Sequence, residues 1–137
     1  MAARLTVEDA LIWVMVTTSA ADRTMTEREM EKLERLVATL PVFEGYVGPL
    51  ARTVELCVAN LGHEGGLEEI LDCVDEALPA RLRETAYALA VEVAAVDLDL
   101  PQDELVFLQM LEDRFELPKL AVAAIEHSAR VRYRKAA

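Results

Sequence analysis

The chain is poor in the residues that mark disulfide-bonded, aromatic-rich or flexible proteins. Of its 137 residues, 5% are aromatic, two are cysteine, five are glycine and five are proline. Two cysteines cannot form the disulfide framework of a small secreted domain, and glycine and proline are too few for a low-complexity segment. Apolar residues make up 53%, which is typical of a globular, aliphatic and helical protein. Residues 1–137 are therefore expected to form a single domain.

Basic residues are also scarce, with 14 Lys and Arg against 25 Asp and Glu and a formal net charge of −11. This balance opposes binding to nucleic acid or to an anionic membrane surface, because both attract clustered Lys and Arg. The exception is a basic tail, where the charges suit the negative end of a helix dipole: Arg130, Arg132, Arg134 and Lys135. Cations and basic protein surfaces are the partners that the overall charge favours.

No apolar stretch reaches the ~18 residues that a membrane-spanning helix requires. The apolar run at 10–21 follows Glu8 and Asp9, where a signal peptide would carry positive charge. The same kind of segment recurs inside the chain at 85–96. We therefore expect neither a signal peptide nor membrane insertion, and we predict a cytoplasmic protein.

Residues suited to catalysis are few and poorly grouped. His63 lies in a Gly-rich loop, while His127 and Ser128 are neighbours on a helix and therefore do not face each other. Cys57 and Cys73 fall on apolar helix faces without a histidine at a suitable spacing. They are interpreted as small buried hydrophobes, with a bridge between them as the less favoured alternative. The sequence predicts that the protein is not an enzyme.

Helical periodicity runs through every segment, and strand-like alternation is absent. The expected fold is all-α, a bundle of about seven helices. Thr6 and Thr26 are expected to cap the first two helices, each with an acidic residue three positions later. Proline is tolerated in a first helical turn, and three prolines are expected to open helices five, six and seven: Pro79, Pro101 and Pro118.

Helices one and five are apolar nearly all round, which favours the centre of a bundle. Helices two and six are amphipathic, with one apolar face expected to point inward: Met30, Leu33, Leu36 and Val37 in helix two, and Leu105, Leu108 and Leu111 in helix six. The predicted architecture is two helix pairs, 1–2 and 5–6, related by an approximate two-fold, with the other three helices packed around them.

This pairing rests on an internal repeat, in which residues 10–40 and 85–115 read as one module offset by 75 positions. Six positions in each copy carry the same residue: Val16, Ala20, Asp22, Glu29, Leu33 and Leu36 recur as Val91, Ala95, Asp97, Glu104, Leu108 and Leu111. The apolar matches follow from helix packing alone. The repeated Asp-x6-Glu at a loop–helix junction is the candidate site.

One interpretation of these junctions is purely structural. A Glu at the third position of a helix bonds the cap residue and suits the positive helix terminus, which is the expected place of Glu29 and Glu104. Asp22 and Asp97 can accept hydrogen bonds from backbone N–H groups in the turn that follows each of them. In this interpretation the repeat is a turn followed by a helix cap, formed in the same way in each copy.

The other interpretation is a cation site. Hard cations such as Ca²⁺ and Mg²⁺ take several oxygen ligands and are favoured over Zn²⁺ here. Glu92 lies one to two turns upstream of the second junction. If both junctions lie on one face, five carboxylates can converge on a divalent cation: Asp22, Glu29, Asp97, Asp99 and Glu104.

The junctions resemble those of the TerB family, which is linked to tellurite resistance and has a related domain at the N-terminus of some membrane-anchored DnaJ-type co-chaperones. The matching residues are Ala20-Ala21-Asp22 with Glu29, and Ala95-Val96-Asp97 with Glu104. The resemblance covers the two modules, about half of the chain. It implies a compact helical bundle, a metal ion held by these acidic residues, and a role in stress resistance through protein partners rather than catalysis.

The chain departs from the TerB pattern at the residue after each Asp, where the family carries Gly. That residue is Arg23 in the first copy and Leu98 in the second. Arg23 places a positive charge beside Asp22 and can neutralise it by pairing. The second junction is therefore the better candidate for a metal.

Overall fold

The computed structural model describes residues 5–20, 25–95 and 102–137, except the side chains of 102–104. These ranges fold into seven α-helices and contain no strand. The helices are α1 (Val7–Ser19), α2 (Glu27–Thr39), α3 (Leu50–Leu61), α4 (Gly66–Ala77), α5 (Arg83–Ala94), α6 (Gln102–Phe115) and α7 (Lys119–Arg132). The predicted all-α class is confirmed. No helix within these ranges is both long enough and apolar enough to cross a membrane.

The first two helices begin at the predicted caps. The Thr6 Oγ1 accepts a hydrogen bond from the Asp9 N–H at 3.0 Å, which satisfies one of the backbone donors left free at the start of α1. At α2 the exchange is reciprocal. The Thr26 Oγ1 accepts from the Glu29 N–H at 3.1 Å, and the Glu29 Oε1 accepts from the Thr26 N–H at 2.8 Å. Local sequence alone therefore sets both starts.

The prediction that prolines open helices needs correction at Pro79. This residue precedes a short 3₁₀ turn, Ala80–Leu82, and α5 begins only at Arg83. The Leu82 N–H bonds the Pro79 carbonyl at 2.9 Å, and a proline suits the first position of either kind of turn because it has no N–H to lose. Pro118 caps α7 directly, while Pro101 lies outside the described residues.

Helices α1 and α5 form the centre of the bundle, as predicted. Every residue of α1 from Ala10 to Ser19 is buried, and the helix contacts α2, α3, α4, α5 and α6. Helix α5 contacts α1, α2, α6 and α7. A helix that is apolar all round buries more surface in such a position than at an edge, so the aliphatic composition of these two segments determines where they lie.

The bounds of the helix pairs follow the sequence repeat. The last residues of α1 and α5, Ser19 and Ala94, are 75 positions apart, and so are the first residues of α2 and α6, Glu27 and Gln102. The two helix pairs also contact each other in both directions. The first helix of each pair contacts the second helix of the other pair, α1 with α6 and α5 with α2. Two similar helix pairs packed against each other would make such contacts. The two-fold relation itself stays a prediction.

The predicted inward faces of the amphipathic helices are correct at their centres and wrong at one end. Leu33 and Leu111 are fully buried, and Leu108 is nearly so. Leu105 was expected in the core but is 44% exposed. It lies in the first turn of α6, where it lines an open cleft between α5, α6 and α7.

The contrast between Leu111 and Leu105 gives a test of this packing. Truncating a buried leucine removes transfer free energy and leaves a cavity, so Leu111→Ala is expected to lower the free energy of unfolding by about 2–5 kcal/mol. Leu105→Ala removes the same atoms from a half-exposed position and is expected to cost about 1 kcal/mol or less. Urea denaturation of both variants measures the difference. Equal costs would contradict the described packing of α6.

Candidate functional site

Glu29 is the only one of the five predicted ligands whose side chain the structure describes. It is 3% exposed, and its Oε1 accepts the Thr26 N–H in the capping box. One carboxylate oxygen is therefore committed to the start of α2. The capping interpretation is confirmed for Glu29, whether or not it has a second role.

The other predicted ligands lie outside the described residues. This applies to Asp22, Asp97 and Asp99, and to the side chain of Glu104. The helix bounds still place Glu104 as the third residue of α6, which is the position that Glu29 takes in α2. Among the residues whose side chains are described, no group of three or more His, Cys, Asp or Glu is arranged to hold a metal ion. The pooled site stays a prediction.

Glu92 takes part in a different arrangement, which we call the Glu92 cluster: Lys32, Glu92, Arg132 and Tyr133. The Arg132 Nη1 donates to both carboxylate oxygens of Glu92, at 2.8 and 2.7 Å. The Tyr133 hydroxyl donates to the Glu92 Oε1 at 2.9 Å, and the Lys32 Nζ lies 3.3 Å from the same oxygen. The cluster joins α2, α5 and the end of α7, so Glu92 links three helices through its carboxylate.

Electrostatics keeps the Glu92 cluster ionised. Burial acts to raise the pKa of Glu92, but the hydrogen bonds from Arg132 and Tyr133 and the charge of Lys32 outweigh burial and lower it below 4.5. Burial likewise acts to lower the pKa of Lys32, and its interactions with Tyr133 and Glu92 raise it above 10.5. The Tyr133 ring lies under the Lys32 ammonium at 5.4 Å, which adds a cation–π contact.

The basic tail is therefore only partly a helix-dipole feature. Arg132, in the last turn of α7, binds a carboxylate of α5. That contact is between residues 40 positions apart, so no local pattern reveals it. Arg130 and Arg134 make no ion pair or hydrogen bond with any other described residue.

Beside the Glu92 cluster lies the α5–α6–α7 cleft, an open cavity of about 500 Å³. Its apolar wall is aliphatic, and its polar side comes from α7 and the residues just after it: Val91, Ala94, Ala95, Leu105, Leu108 and Ala129, with Glu126, Arg130, Tyr133 and Arg134. The Tyr87 hydroxyl donates to the Glu126 Oε2 at 2.6 Å, and Tyr133 is held by Glu92. Among the described residues, the guanidinium groups of Arg130 and Arg134 have no partner and are free to meet a ligand.

Sequence reasoning missed this cleft, although one signal was present. Glu126, Arg130 and Arg134 follow each other at intervals of four, which places them along one side of a helix and its extension. These three residues face Val91 and Leu105 only because of the way α5, α6 and α7 pack. The spacing of residues within α7 carries no information about that packing.

A second, smaller cleft of about 340 Å³ lies where α1 and α3 meet the loop before α3. Several of its polar groups bond one another. The Thr53 hydroxyl lies 3.1 Å from the Tyr46 hydroxyl and donates to the Asp9 Oδ1 at 3.3 Å, while the Trp13 Nε1 donates to the Thr53 carbonyl at 3.1 Å. This network anchors the loop, and Glu8 and Arg52 also line the cleft.

Both cysteines are free thiols, so the alternative of a bridge between Cys57 and Cys73 is wrong. Cys57 is buried 3.4 Å from the Thr17 hydroxyl, and burial raises the pKa of its thiol to about 12. Burial, followed by the charges of nearby carboxylates, also raises the pKa of Cys73. A nucleophilic cysteine needs a lowered pKa, so neither thiol is activated at neutral pH.

Helix α4 carries five carboxylates and no basic residue within its twelve positions. Two guanidinium groups from other elements meet them. Arg114 pairs with Asp72 and lies 3.5 Å from Asp75 and 4.0 Å from Glu68, and Arg83 lies 2.8 Å from Asp75. Four of these carboxylates, those of Glu68, Glu69, Asp72 and Asp75, outnumber the two guanidinium groups, so this surface, the α4 face, is acidic.

Comparison of the chain with protein-family models, with curated proteins and with solved structures gives no match.

The Glu92 cluster predicts a specific pH dependence. Because the folded-state pKa of Glu92 is lowered, its contribution to stability is present above the unfolded value near 4.5 and is lost as the pH falls through the folded value. Glu92→Gln is expected to cost about 1–3 kcal/mol at pH 7, since hydrogen bonds to a charged group are lost. Chemical denaturation across pH 3–7 measures both proteins. The difference should shrink below pH 4.5, and a constant difference down to pH 3 would contradict the described cluster.

Proposed function

We propose that this protein is a non-enzymatic, TerB-like helical domain that binds a divalent cation at its second acidic junction and acts in tellurite or stress resistance through protein contacts. The cytoplasm is the proposed location. The observation that carries the proposal is that the first helix ends, and the second begins, 75 positions apart in the two segments, with a Glu as the third residue of each second helix. Such a repeat is what the resemblance to the TerB family implies.

The second junction is the stronger of the two for a cation. In the first, the Glu29 Oε1 already accepts the Thr26 N–H, and Arg23 follows Asp22 directly. In the second, Asp97, Asp99 and Glu104 supply three carboxylates without an adjacent basic residue. Oxygen ligands alone favour Ca²⁺ or Mg²⁺.

A binding role rather than catalysis is supported by the state of the reactive side chains. The raised pKa values of Cys57 and Cys73 leave both thiols protonated at neutral pH, and a protonated thiol is a poor nucleophile. Glu92, which is half-buried, is bound by two cations and a hydroxyl. It is therefore poorly placed to exchange protons near pH 7.

Metal titration tests the cation site. A cation that binds only the folded state raises the melting temperature in proportion to the logarithm of its excess over the dissociation constant. Calcium or magnesium at 0.1–10 mM (on the order of the weaker protein sites) is expected to stabilise the wild type. Asp97→Asn with Glu104→Gln is expected to abolish that shift, as measured by differential scanning calorimetry.

Asp22→Asn with Glu29→Gln is the matched control, since it removes the same two charges from the first junction. It is expected to retain the metal-dependent shift while losing about 0.5–2 kcal/mol of metal-independent stability through the damaged cap. If neither cation shifts the melting temperature of the wild type, the cation site is wrong. If both double variants lose only metal-independent stability, the junctions are caps.

A second candidate function is a structural interaction module whose acidic surface docks a basic partner. The α4 face favours it, because Glu68, Glu69, Asp72 and Asp75 outnumber the two guanidinium groups there. Complementary charge speeds association and selects partners. This candidate needs no metal and is compatible with carboxylates that serve only as caps.

Binding of a Lys- and Arg-rich peptide, followed by fluorescence anisotropy at low salt, tests the docking surface. Glu68→Gln with Glu69→Gln is expected to weaken binding several-fold, since each exposed ion pair contributes about 0.2–1 kcal/mol. Glu31→Gln with Glu34→Gln removes two exposed charges from α2 instead and is expected to have a smaller effect. Equal losses from both double variants would show only non-specific attraction to a protein of net charge −11.

A further inference from the structure

The α5–α6–α7 cleft has the size and the opening of a small-molecule site. Its volume of about 500 Å³ lies within the range of ~300–1,000 Å³ that is typical of ligand pockets. Leu105, which helical periodicity predicts to be buried, is 44% exposed on its wall. A ligand that covers such an exposed apolar side chain removes its surface from water, which favours binding.

The lining defines the chemistry of the apolar part of a ligand. Val91, Leu105 and Leu108 provide branched aliphatic surface, while three alanines keep the cleft wide. This part of the wall carries no polar side chain to orient a ring system or a sugar, and the only aromatic lining residue is Tyr133. A flexible hydrocarbon chain fits such a wall, because its affinity comes from buried area rather than from directed hydrogen bonds.

The polar lining defines the head group. Glu126 is the one carboxylate among the lining residues, and it accepts a hydrogen bond from Tyr87. Arg130 and Arg134 are exposed, and no other described residue pairs with either. Guanidinium groups bind carboxylates through paired N–H donors, so the lining carries a net positive charge that an anionic head group can satisfy.

The surroundings reinforce this charge. In the adjacent Glu92 cluster, Lys32 and Arg132 together outnumber the single carboxylate of Glu92. On the side of the Glu92 cluster, the described residues next to the cleft therefore carry a net positive charge, on a protein whose net charge is −11. A local positive potential attracts small anions even though the net negative charge of the protein repels them.

We infer that the α5–α6–α7 cleft binds a medium-chain alkanoate, with its hydrocarbon chain against Val91, Leu105 and Leu108 and its carboxylate at Arg130 and Arg134. The site does not depend on the cation or on the docking surface of the proposed function. It adds a small amphipathic ligand to a domain that otherwise acts through ions and proteins.

Isothermal titration calorimetry with hexanoate, octanoate and decanoate, below their micelle concentrations at pH 7.5, tests the site. Each buried methylene is expected to strengthen binding about fourfold. Octanoate is expected to bind more tightly than octan-1-ol, and octan-1-ol more tightly than octylammonium. Absence of binding by both octanoate and decanoate, or affinity independent of chain length, would overturn the inference.

Variants separate the two halves of the site. Arg130→Gln with Arg134→Gln is expected to weaken octanoate about tenfold, to the level of octan-1-ol, because two exposed ion pairs are lost. Arg28→Gln with Arg35→Gln, on the exposed side of α2, is the control and should change octanoate binding less than twofold. If the first pair binds octanoate as the wild type does, the assigned head-group contacts are wrong.

Leu105→Gln tests the apolar wall and should weaken octanoate and octan-1-ol alike. Its control is Leu120→Gln, since Leu120 is 83% exposed and does not line the cleft. Both leucines are exposed at least in part, so both variants should fold, which circular dichroism checks. Equal binding by the two leucine variants would overturn the placement of the chain in the cleft.

Discussion

The packing of α1 against α5 is the contact on which the rest of the structure depends. Both helices are aliphatic on nearly every side, and α1 is buried from Ala10 to Ser19. Burial of apolar surface is the dominant favourable term in folding, so these two segments occupy the centre and the amphipathic helices cover them. The small side chains of α5, among them Ala86, Ala90 and Ala94, let the neighbouring helices approach closely.

Helix α7 shows how a peripheral element is attached to such a centre. Few large apolar residues anchor it, and its buried positions are Val122 and Ala129. Polar ties supplement them, through Tyr87 with Glu126 at one level and the Glu92 cluster at the other. Ala94, Ala95 and Ala129 line the cleft beside Leu105, and their short side chains leave its volume unfilled. Arg130 and Arg134 take no part in these polar contacts among the described residues, and both line the cleft.

The fold was largely predictable from the sequence, and the sites were less so. Helical periodicity predicted seven helices, and the Thr6 and Thr26 caps marked two starts, because caps act within four residues. Leu105 was misplaced, since a periodic pattern identifies an apolar face but not whether a neighbour reaches its end. Glu92 was noted in the sequence only for its place upstream of the second junction, whereas its partners Lys32 and Arg132 are brought to it from distant positions.

By itself, the sequence determined the helical class, the central place of α1 and α5 and the cap at Glu29. These features follow from local hydrogen bonding and from the periodicity of apolar residues, both of which act along the chain. Only the tertiary structure decided the partners of Glu92, the acidic balance of the α4 face and the opening of the α5–α6–α7 cleft. Their contacts join side chains from different helices, such as Arg132 with Glu92, 40 positions apart, and Arg114 with Asp72, 42 positions apart, and helix packing, not local propensity, brings such residues together.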